Sequence, residues 1–387
     1  MALTAKQIYT IVNDVAQQAM GSTAITVVDD QGLIALGNTV LGSDATRNNF
    51  INTLTDRIGR TIVSFRAYHS HFPDFERDSI EWGNILQKLK IAMPTAEADD
   101  SYNLIDGKSV DQYKINKPKV NQLLFTTETP WQTHITVHLE ELEKAFIDST
   151  AMGVFIAGMF GEVQNRIELA MENLSMNCVN HYMAEIIQRK ETTPNRIVNL
   201  VTEYKDKTGV DHTTEPLTAL DDEEFLKYVV RRINSISTTM EYMTEGMYNT
   251  ASFPTSTDVG AYTRHTPKSE QRMMLFIDLV NSLKTNINSK AFNMEQVAID
   301  IPFKTVPFWQ SLESPSEISI KSDSGTTTAS GVMGILYDRE AMGTFKKKYN
   351  SVTSPVNAAG LYYNVFYHMI TMYYNDLTEN AVIFLLA

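Results

Sequence analysis

The stretch from Met152 to Lys190 constrains the fold more than any other part of the chain. It contains no proline, and its apolar residues recur at intervals of three and four, which places them on one side of an α-helix. The residue before a proline is disfavoured in a helix, so this helix is predicted to end before Pro194. It would span roughly 50 Å at 1.5 Å per residue, far more than a typical helix of about 11–12 residues.

The stripe along this helix is interpreted as a core face. A rod of this length is more typical of flat tiles that build assemblies than of enzyme cores. The residues of the stripe are Met152, Phe155, Ile156, Met159, Phe160, Val163, Ile167, Ala170, Met171, Leu174, Cys178, Tyr182 and Ile186.

Composition indicates a folded, water-soluble chain. The 387 residues suggest about two or three domains, and 43% hydrophobic with 20% charged residues is typical of globular proteins. No apolar run approaches the ~18–20 residues of a transmembrane helix, so no membrane association is expected. The first twenty residues are amphipathic rather than continuously apolar, which does not fit a secretory signal.

Charge and cysteine usage exclude further classes. The net charge of −13 disfavours sequence-specific binding of nucleic acid, because that binding depends on Lys and Arg neutralising phosphates. The single cysteine, Cys178, allows no intrachain disulfide and fits a reducing compartment. Its place on the helix stripe indicates a small buried hydrophobe, not a nucleophile.

The first 59 residues are predicted to form an arm with local structure, not a compact domain. We expect a helix from Lys6 to Met20, a strand-like piece at Ile25–Val28, and a second helix that Asp44 caps and Gly59 ends.

An extended region follows, roughly 60–128. Thr61 to Ala67 alternates with the period of a strand, and in a return strand Leu89 and Ile91 face one way while Lys88 and Lys90 face the other. A third extended piece runs from Val120 to Thr126. Long strands with exposed edges invite pairing, so this region either folds back on its own body or lies across a neighbouring chain.

The remainder mixes helices and strands. Leu139–Asp148 is predicted as a helix before the rod, and the acidic run Asp221–Glu224 favours a helix start. The other expected elements are a helix at Arg272–Lys284, a mobile loop at Ser311–Gly331, and strands at Val332–Tyr337, Leu361–Tyr374 and Ala381–Leu386.

Motifs for catalysis or metal binding are sparse. The pairs His69/His71 and His134/His138 each share a face, but neither has a matching acid at a metal-site spacing. Gly153, Gly158 and Gly161 lie inside the long helix, where they are expected to permit close packing. Each glycine lowers the stability of the helix by up to about 1 kcal/mol relative to alanine. No cofactor, metal site or catalytic constellation is expected.

Several sequence stretches resemble the major capsid protein of small podophages of the phi-29-like type. Their shared order along the chain is more specific than any one of them. The stretches are Phe50–Arg60, Ser289–Met294, Gly334–Ala341, Gly360–His368 and Glu379–Phe384.

This resemblance implies an α+β chain with the Hong Kong 97-type (HK97-like) capsid fold. The implied parts are an N-terminal arm (1–59), an extended E-loop (60–128), a P domain with a long spine helix (129–195), an A domain (196–354), and C-terminal strands returning to the P domain (355–387). The chain ends near Ala387 without the immunoglobulin-like C-terminal domain that some relatives carry, so an outer decorating function is not expected.

The resemblance also implies a function and partners. Copies of the chain would form pentamers and hexamers of an icosahedral head around a scaffolding protein, with a portal protein at one vertex, and enclose double-stranded DNA without sequence-specific binding. The acidic charge would keep DNA from adhering to the wall. The location would be the virion capsid, after assembly in the host cytoplasm. The predicted subunit-interface residues are Arg60, Phe65, Arg66, Trp82, Lys88 and Lys90.

Some relatives of this fold crosslink covalently through lysine and asparagine. No motif here places Lys88 or Lys90 beside an asparagine, so no crosslink is predicted. Three alternatives stay open at this stage: an encapsulin-like compartment built from the same tile, a soluble metal-dependent or acid–base enzyme using His134 and His138, and a tail or connector protein.

Overall fold

The computed structural model describes most of the chain. The described residues are 5–21, 25–58, 70–77, 86–91, 100–102, 104–109, 113, 115, 117, 120–126, 128–245, 247–249, 263–287, 299–322 and 325–386. The α-helices are α1 (Ala5–Met20), α2 (Asp30–Leu41), α3 (Asp44–Ile58), α4 (Leu139–Ala145), α5 (Ser149–Gln188), α6 (Leu200–Thr208), α7 (Glu223–Met240) and α8 (Ile277–Ser282), which continues as a π-helical turn at Leu283–Ile287.

Strands account for much of the second half of the chain. They are β1 (Glu76–Arg77), β2 (Leu86–Ile91), β3 (Val120–Phe125), β4 (Glu128–His138), β5 (Ile197–Asn199), β6 (Thr244–Glu245), β7 (Thr263–Arg264), β8 (Gln271–Phe276), β9 (Phe303–Val306), β10 (Ile318–Ser322), β11 (Gly325–Ala329), β12 (Val332–Asp338), β13 (Met342–Thr353), β14 (Tyr362–Asn375) and β15 (Ala381–Leu385). Among the described residues, no helix is both long and apolar enough to cross a membrane.

The chain divides into two compact units. Unit 1 comprises residues 1–83, 127–175 and 344–372, and unit 2 comprises residues 84–126, 176–343 and 373–387. Helix α5, at 40 residues, contributes its first part to unit 1 and its last part to unit 2.

Unit 1 packs helices on one face of a sheet with strand order β1-β13-β14-β4. Strand β14 pairs antiparallel with β4 and buries alternate residues, among them Tyr363, Val365 and Tyr367. This buried face forms one core with α1 to α4 and the start of α5. The opposite face, which carries Phe366 and His368, is open to solvent or half-buried.

Unit 2 is built on a five-stranded sheet with order β5-β15-β12-β8-β9. Its central strand, β12, is buried at all seven positions, as expected for a strand covered on both faces. At Gly334 in this strand, an added Cβ would lie 2.6 Å from the backbone oxygen of Met274 and 2.7 Å from a methyl group of Leu275. The close approach of β8 therefore requires glycine at this position.

The long helix is confirmed, with bounds Ser149–Gln188 instead of Met152–Lys190. The stripe is a core face: Met152, Ile156 and Tyr182 are fully buried. The side chains of Met159 and Phe160 lie outside the described part. Before the helix, the Asp148 carboxylate accepts a hydrogen bond from the backbone N–H of Ala151 at 2.7 Å, which satisfies a donor of the first turn.

The three glycines of α5 differ from one another. A Cβ on Gly153 would lie 2.8 Å from the terminal methyl of Ile8 in α1, so close packing is confirmed there. Around Gly158 and Gly161, no atom of the described residues outside the helix's own backbone lies within 4 Å of an added Cβ, so close packing at these two glycines stays a prediction.

The N-terminal segment differs from the prediction in detail. Helix α1 and the helix at 44–58 are confirmed, but α2 was not predicted, and Ile25–Val28 forms no strand. The Asn13 side chain instead holds Val27 through two hydrogen bonds of 2.6 and 2.7 Å to its backbone. Ser43 caps α3 by accepting from the Thr46 N–H at 3.2 Å, and Asp44, the predicted cap, is the first residue of the helix.

Two other predictions are wrong. Residues 271–276 form strand β8, and helix begins only at Ile277, because a continuous buried run has no period that separates a central strand from a buried helix. Ser311–Gly331 contains the antiparallel pair β10–β11 instead of a structureless loop. The predicted strand at Thr61–Ala67 lies outside the described residues.

Candidate assembly surface

Strands β2 and β3 form a two-stranded antiparallel sheet within unit 2, which we call the lysine hairpin. The alternation of side chains in a strand gives it two faces of opposite character. On one face, Leu89, Ile91, Val120 and Leu124 are 60, 63, 53 and 53% exposed. Four aliphatic side chains thus stand on an open sheet face, which is typical of a surface that another chain covers.

The other face of the lysine hairpin carries Lys88 and Lys90 into unit 2. The Lys90 side chain is 1% exposed and that of Lys88 is 18% exposed. Both ammonium groups lie between the same two carboxylate oxygens. The Lys88 Nζ is 3.0 Å from Asp376 Oδ2 and 2.7 Å from Glu379 Oε1, and the Lys90 Nζ is 2.8 Å from each.

The turn between β14 and β15 supplies both carboxylates, and we call the site that they form the acid pocket. The backbone N–H of Glu379 donates to Asp376 O at 3.2 Å, which closes a four-residue turn with an acid at each end. Within the turn, the Asp376 carboxylate accepts from the Thr378 N–H at 3.0 Å, and Thr378 also contacts the Lys90 ammonium.

Arginines fix this turn from two sides. The buried Arg196 donates to the Leu377 carbonyl at 3.1 Å. Arg264 from β7 makes a forked contact with Glu379, with Nε 2.8 Å from Oε2 and Nη2 2.5 Å from Oε1. Such paired hydrogen bonds from a guanidinium set the orientation of a carboxylate as well as its charge.

The charges of the site balance. Lys88, Lys90 and Arg264 supply three cations, and Asp376, Glu379 and the more exposed Glu340 supply three anions, with Glu340 Oε2 3.3 Å from Lys88 Nζ. A buried charge is costly unless it is paired and hydrogen-bonded, so the lysines and the acids of this site depend on each other.

The pKa values follow from this arrangement. Burial alone would raise the pKa of Glu379, but hydrogen bonds from Arg264 and the charges of the lysines lower it to about 2. Burial would likewise raise the pKa of Asp376, but Lys88 and Lys90 hold it below its ordinary value. Burial would lower the pKa of Lys88, yet the two carboxylates raise it. Lys88, Asp376 and Glu379 are therefore ionised near neutral pH.

Of the predicted interface residues, Arg60, Phe65, Arg66 and Trp82 lie outside the described residues. Lys88 and Lys90 do lie opposite Leu89 and Ile91, as the alternation predicted. The lysines, not the aliphatic residues, face the interior of the unit. Their role at a subunit interface stays a prediction.

Sequence reasoning missed the acid pocket. Asp376 and Glu379 are 286 to 291 residues from their lysine partners along the chain, so no local pattern joins them. The available signal was a pair of acids in a short turn between two strongly apolar strands, together with lysines that alternate with leucine and isoleucine in a strand.

The histidines do not form a metal centre. Among the described residues, no three His, Cys, Asp or Glu side chains converge on a point that could hold a metal ion. His134 lies 5.7 Å from the ring of Phe366, and His138 lies 6.0 Å from that of Tyr362, on the outer face of the unit 1 sheet. His71 approaches Glu172 at 3.2 Å, and His69 lies outside the described residues.

Comparison with solved structures finds phage particles. A chain from the capsid of Staphylococcus phage Andhra aligns with a TM-score of 0.57 and 11% identity, covering 84% of this chain and 87% of that one. A chain from the structure of the head fiber and inner core protein gp22 of native bacteriophage P68 aligns with a TM-score of 0.53 and 9% identity over 84% and 87%. The fold is therefore that of HK97-like phage capsid proteins, with helix and sheet mixed in an α+β arrangement.

Comparison of sequences identifies the family. The major capsid protein of Bacillus phage B103 is 19% identical over 384 residues, which cover 97% of this chain and 72% of that protein. The model of the Phi29-like phage major capsid protein family matches residues 8–385. Since that match extends over nearly the whole chain, this protein belongs to the Phi29-like phage major capsid proteins.

Proposed function

We propose that this major capsid protein builds the shell of an icosahedral phage head from pentamers and hexamers and encloses double-stranded DNA. The open aliphatic face of the lysine hairpin carries the proposal, because a soluble chain rarely leaves four such side chains together on a sheet face. Covering an aliphatic side chain fully contributes roughly 1.5–3 kcal/mol. Repeated contacts of this kind would hold a shell together.

The parts of the fold receive assignments within the same proposal. Residues 1–59 act as the N-terminal arm, 60–128 as the E-loop, 129–195 as the P domain, 196–354 as the A domain and 355–387 as the returning strands. Arg60, Phe65, Arg66, Trp82, Lys88 and Lys90 lie at contacts between subunits. Heterologous contacts that close with curvature form a shell and not a filament.

The proposed partners are further copies of this chain, a scaffolding protein that guides curvature and a portal protein at one vertex. Assembly takes place in the host cytoplasm, and the product is the virion capsid. DNA is enclosed without sequence-specific contacts, which the net charge of −13 supports. The protein acts without catalysis or a cofactor. The family match favours this function over an encapsulin compartment, whose cargo would be an enzyme.

Electron microscopy of the expressed chain tests the proposal. Expressed with the scaffolding gene of its own phage, the chain should form closed shells. Rings, tubes or only monomers would contradict it. DNA in mature particles is expected, and an enzyme cargo in place of DNA would favour the encapsulin alternative.

Substitution on the open face sharpens this test. Leu89→Glu places a charge among the aliphatic side chains and should abolish shells while leaving the subunit folded by circular dichroism. Leu312 is 76% exposed and lies in a separate loop, so Leu312→Glu serves as the matched control and should assemble normally. Normal shells from Leu89→Glu would show that this face is not an assembly contact.

A further inference from the structure

The turn that forms the acid pocket is also held by contacts that do not involve the lysine hairpin. The turn is closed by backbone hydrogen bonds, anchored by Arg196 and oriented by Arg264. The Asp376 N–H also donates to the Ala341 carbonyl at 2.8 Å. The hairpin adds the two ammonium groups to a site whose walls belong to the rest of unit 2.

The lysine hairpin is attached to those walls by side chains. Strands β2 and β3 pair with each other as a separate two-stranded sheet. Among the described attachments are the ion pairs of Lys88 and Lys90, a hydrogen bond from Lys88 to the Glu340 carbonyl, and a ring contact of Phe125 with Tyr374, whose centroids are 5.3 Å apart. These contacts have a defined geometry, and any copy of the hairpin could make them equally well.

The path of the chain separates the hairpin from its docking site. The described parts of the hairpin, 86–91 and 120–126, pack in unit 2, but the described residues that precede and follow it in the chain, 70–77 and 128–175, belong to unit 1. An element that is joined to one unit at both ends and packs on another can move to an identical site on a second molecule. Such an exchange of identical elements is a low-cost route to association.

We propose that the acid pocket is a docking site for paired lysine side chains and that, in the assembled shell, it binds Lys88 and Lys90 of a second copy of this chain. This inference rests on the proposed shell function and adds the contact that joins neighbours. The exchange conserves every ion pair of the isolated subunit. It also carries the open aliphatic face onto the neighbouring copy, where that face can be covered.

Cysteine crosslinking distinguishes a lysine hairpin in its own pocket from one in a neighbour's pocket. Lys88→Cys with Glu340→Cys places two thiols at the rim of the site and removes one cation and one anion, so the charges still balance and Lys90 still pairs with both buried acids. Purified shells are treated with a bis-maleimide whose span matches the combined length of the replaced side chains. The native Cys178 is buried, and the unsubstituted chain measures its background.

We expect the monomer band on a denaturing gel to be lost in favour of dimers and larger species. Arg232→Cys with Glu203→Cys replaces an ion pair of 2.8 Å between α7 and α6 and is the matched control, which should yield monomers only. If shells form but the chain with Lys88→Cys and Glu340→Cys also yields only internally linked monomers, the proposed exchange is wrong, whereas the shell function stands. If the native chain forms no shells, the function itself fails.

Charge reversal provides a second measurement that needs no crosslinker. One chain carries Lys88→Glu with Lys90→Glu, and another carries Asp376→Lys with Glu379→Lys. Each alone should fail to assemble, because like charges meet at every contact. The mixture should form mixed dimers and other even-numbered oligomers through contacts between the two chains, but no pentamers, because two chains cannot alternate around a ring of five. Assembly of a single chain carrying all four substitutions, with no mixed oligomers from the mixture, would overturn the exchange.

Discussion

At the scale of single residues, the acid pocket shows how burial and pairing are balanced. Lys90 is as buried as a core leucine, and its charge is tolerated because Asp376 and Glu379 face it at 2.8 Å. A buried pair of this kind is weak evidence for net stability, because desolvation offsets the attraction. Removal of one partner, however, leaves an uncompensated charge.

The first prediction concerns Glu379→Gln. It leaves three cations around a single buried carboxylate and should lower the free energy of unfolding by roughly 3–5 kcal/mol. Denaturant unfolding of the purified subunit measures the change. Glu140→Gln removes an exposed helix pair with Lys144 and should leave the free energy of unfolding nearly unchanged. Equal effects of the two substitutions would show that the pocket contributes no more than a surface pair.

The second prediction concerns acid. A carboxylate with a lowered pKa stabilises the folded state above its ordinary pKa, and this stabilisation is lost as the pH falls through the folded value. Attachment of the lysine hairpin should therefore weaken between about pH 4.5 and 2, the range set by Glu379. The charged groups facing the site are Lys88, Lys90, Arg196, Arg264, Asp338, Glu340, Asp376 and Glu379.

Hydrogen exchange of the β2 amides, followed against pH, measures this release. In the Glu379→Gln variant, the β2 amide hydrogens should already exchange with solvent faster at neutral pH. Their protection should also change less when the pH is lowered. Protection of β2 that stays constant down to pH 2 in the native chain would contradict the assigned ionisation.

At the scale of secondary-structure elements, α5 shows that glycines in one helix need not share a cause. Gly153 lies against Ile8, whereas the described surroundings of Gly158 and Gly161 leave room for a methyl group. Glycine in a helix interior is less favourable than alanine by up to about 1 kcal/mol.

The third prediction follows for these glycines. Gly158→Ala and Gly161→Ala should each raise the free energy of unfolding by up to about 1 kcal/mol. Gly153→Ala should raise the free energy of unfolding by less, because the terminal methyl of Ile8 must move to make room for the new Cβ. Thermal unfolding of the three variants makes the comparison. The largest gain at Gly153 would show that the contact with α1 is not tight.

Elements with a clear period could be predicted from the sequence, whereas apolar runs without one were predicted correctly as strands in β12 and β15 but wrongly as a helix in β8. The stripe of α5 and the acids that start α7 stand out in the sequence, and both helices are present. Strand β8 was taken for a helix because Met273–Phe276 is apolar without alternation. The inward face of β2 depends on Asp376 and Glu379, close to 290 residues away, and no local pattern reports a partner at that distance.

At the scale of the whole molecule, the chain combines well-packed cores with an exposed aliphatic surface on the lysine hairpin. In unit 1 the N-terminal helices, the sheet and the start of α5 share one core. In unit 2 the central strand is buried throughout. The subunit can thus fold before it assembles, and the open face remains available for contact with its neighbours.

The fourth prediction concerns covalent bonds between subunits. An amine must lose its proton to attack an amide, and the ammonium of Lys88 is held protonated by two carboxylates that raise its pKa. Lys90 is buried between the same two acids. Mature particles boiled in detergent should therefore give one band at the monomer mass of 43.6 kDa. A ladder of multiples would show a crosslink that these lysines or others form.

Gly334 has a consequence for phage genetics. A methyl group there would press on the Met274 carbonyl, at the centre of unit 2, where neither backbone can retreat without breaking the sheet. A phage carrying alanine at this codon should grow at low temperature, where the weakened subunit still folds, and form no plaques when warmed. Revertants selected in the warm should restore the original codon far more often than they acquire compensating changes elsewhere.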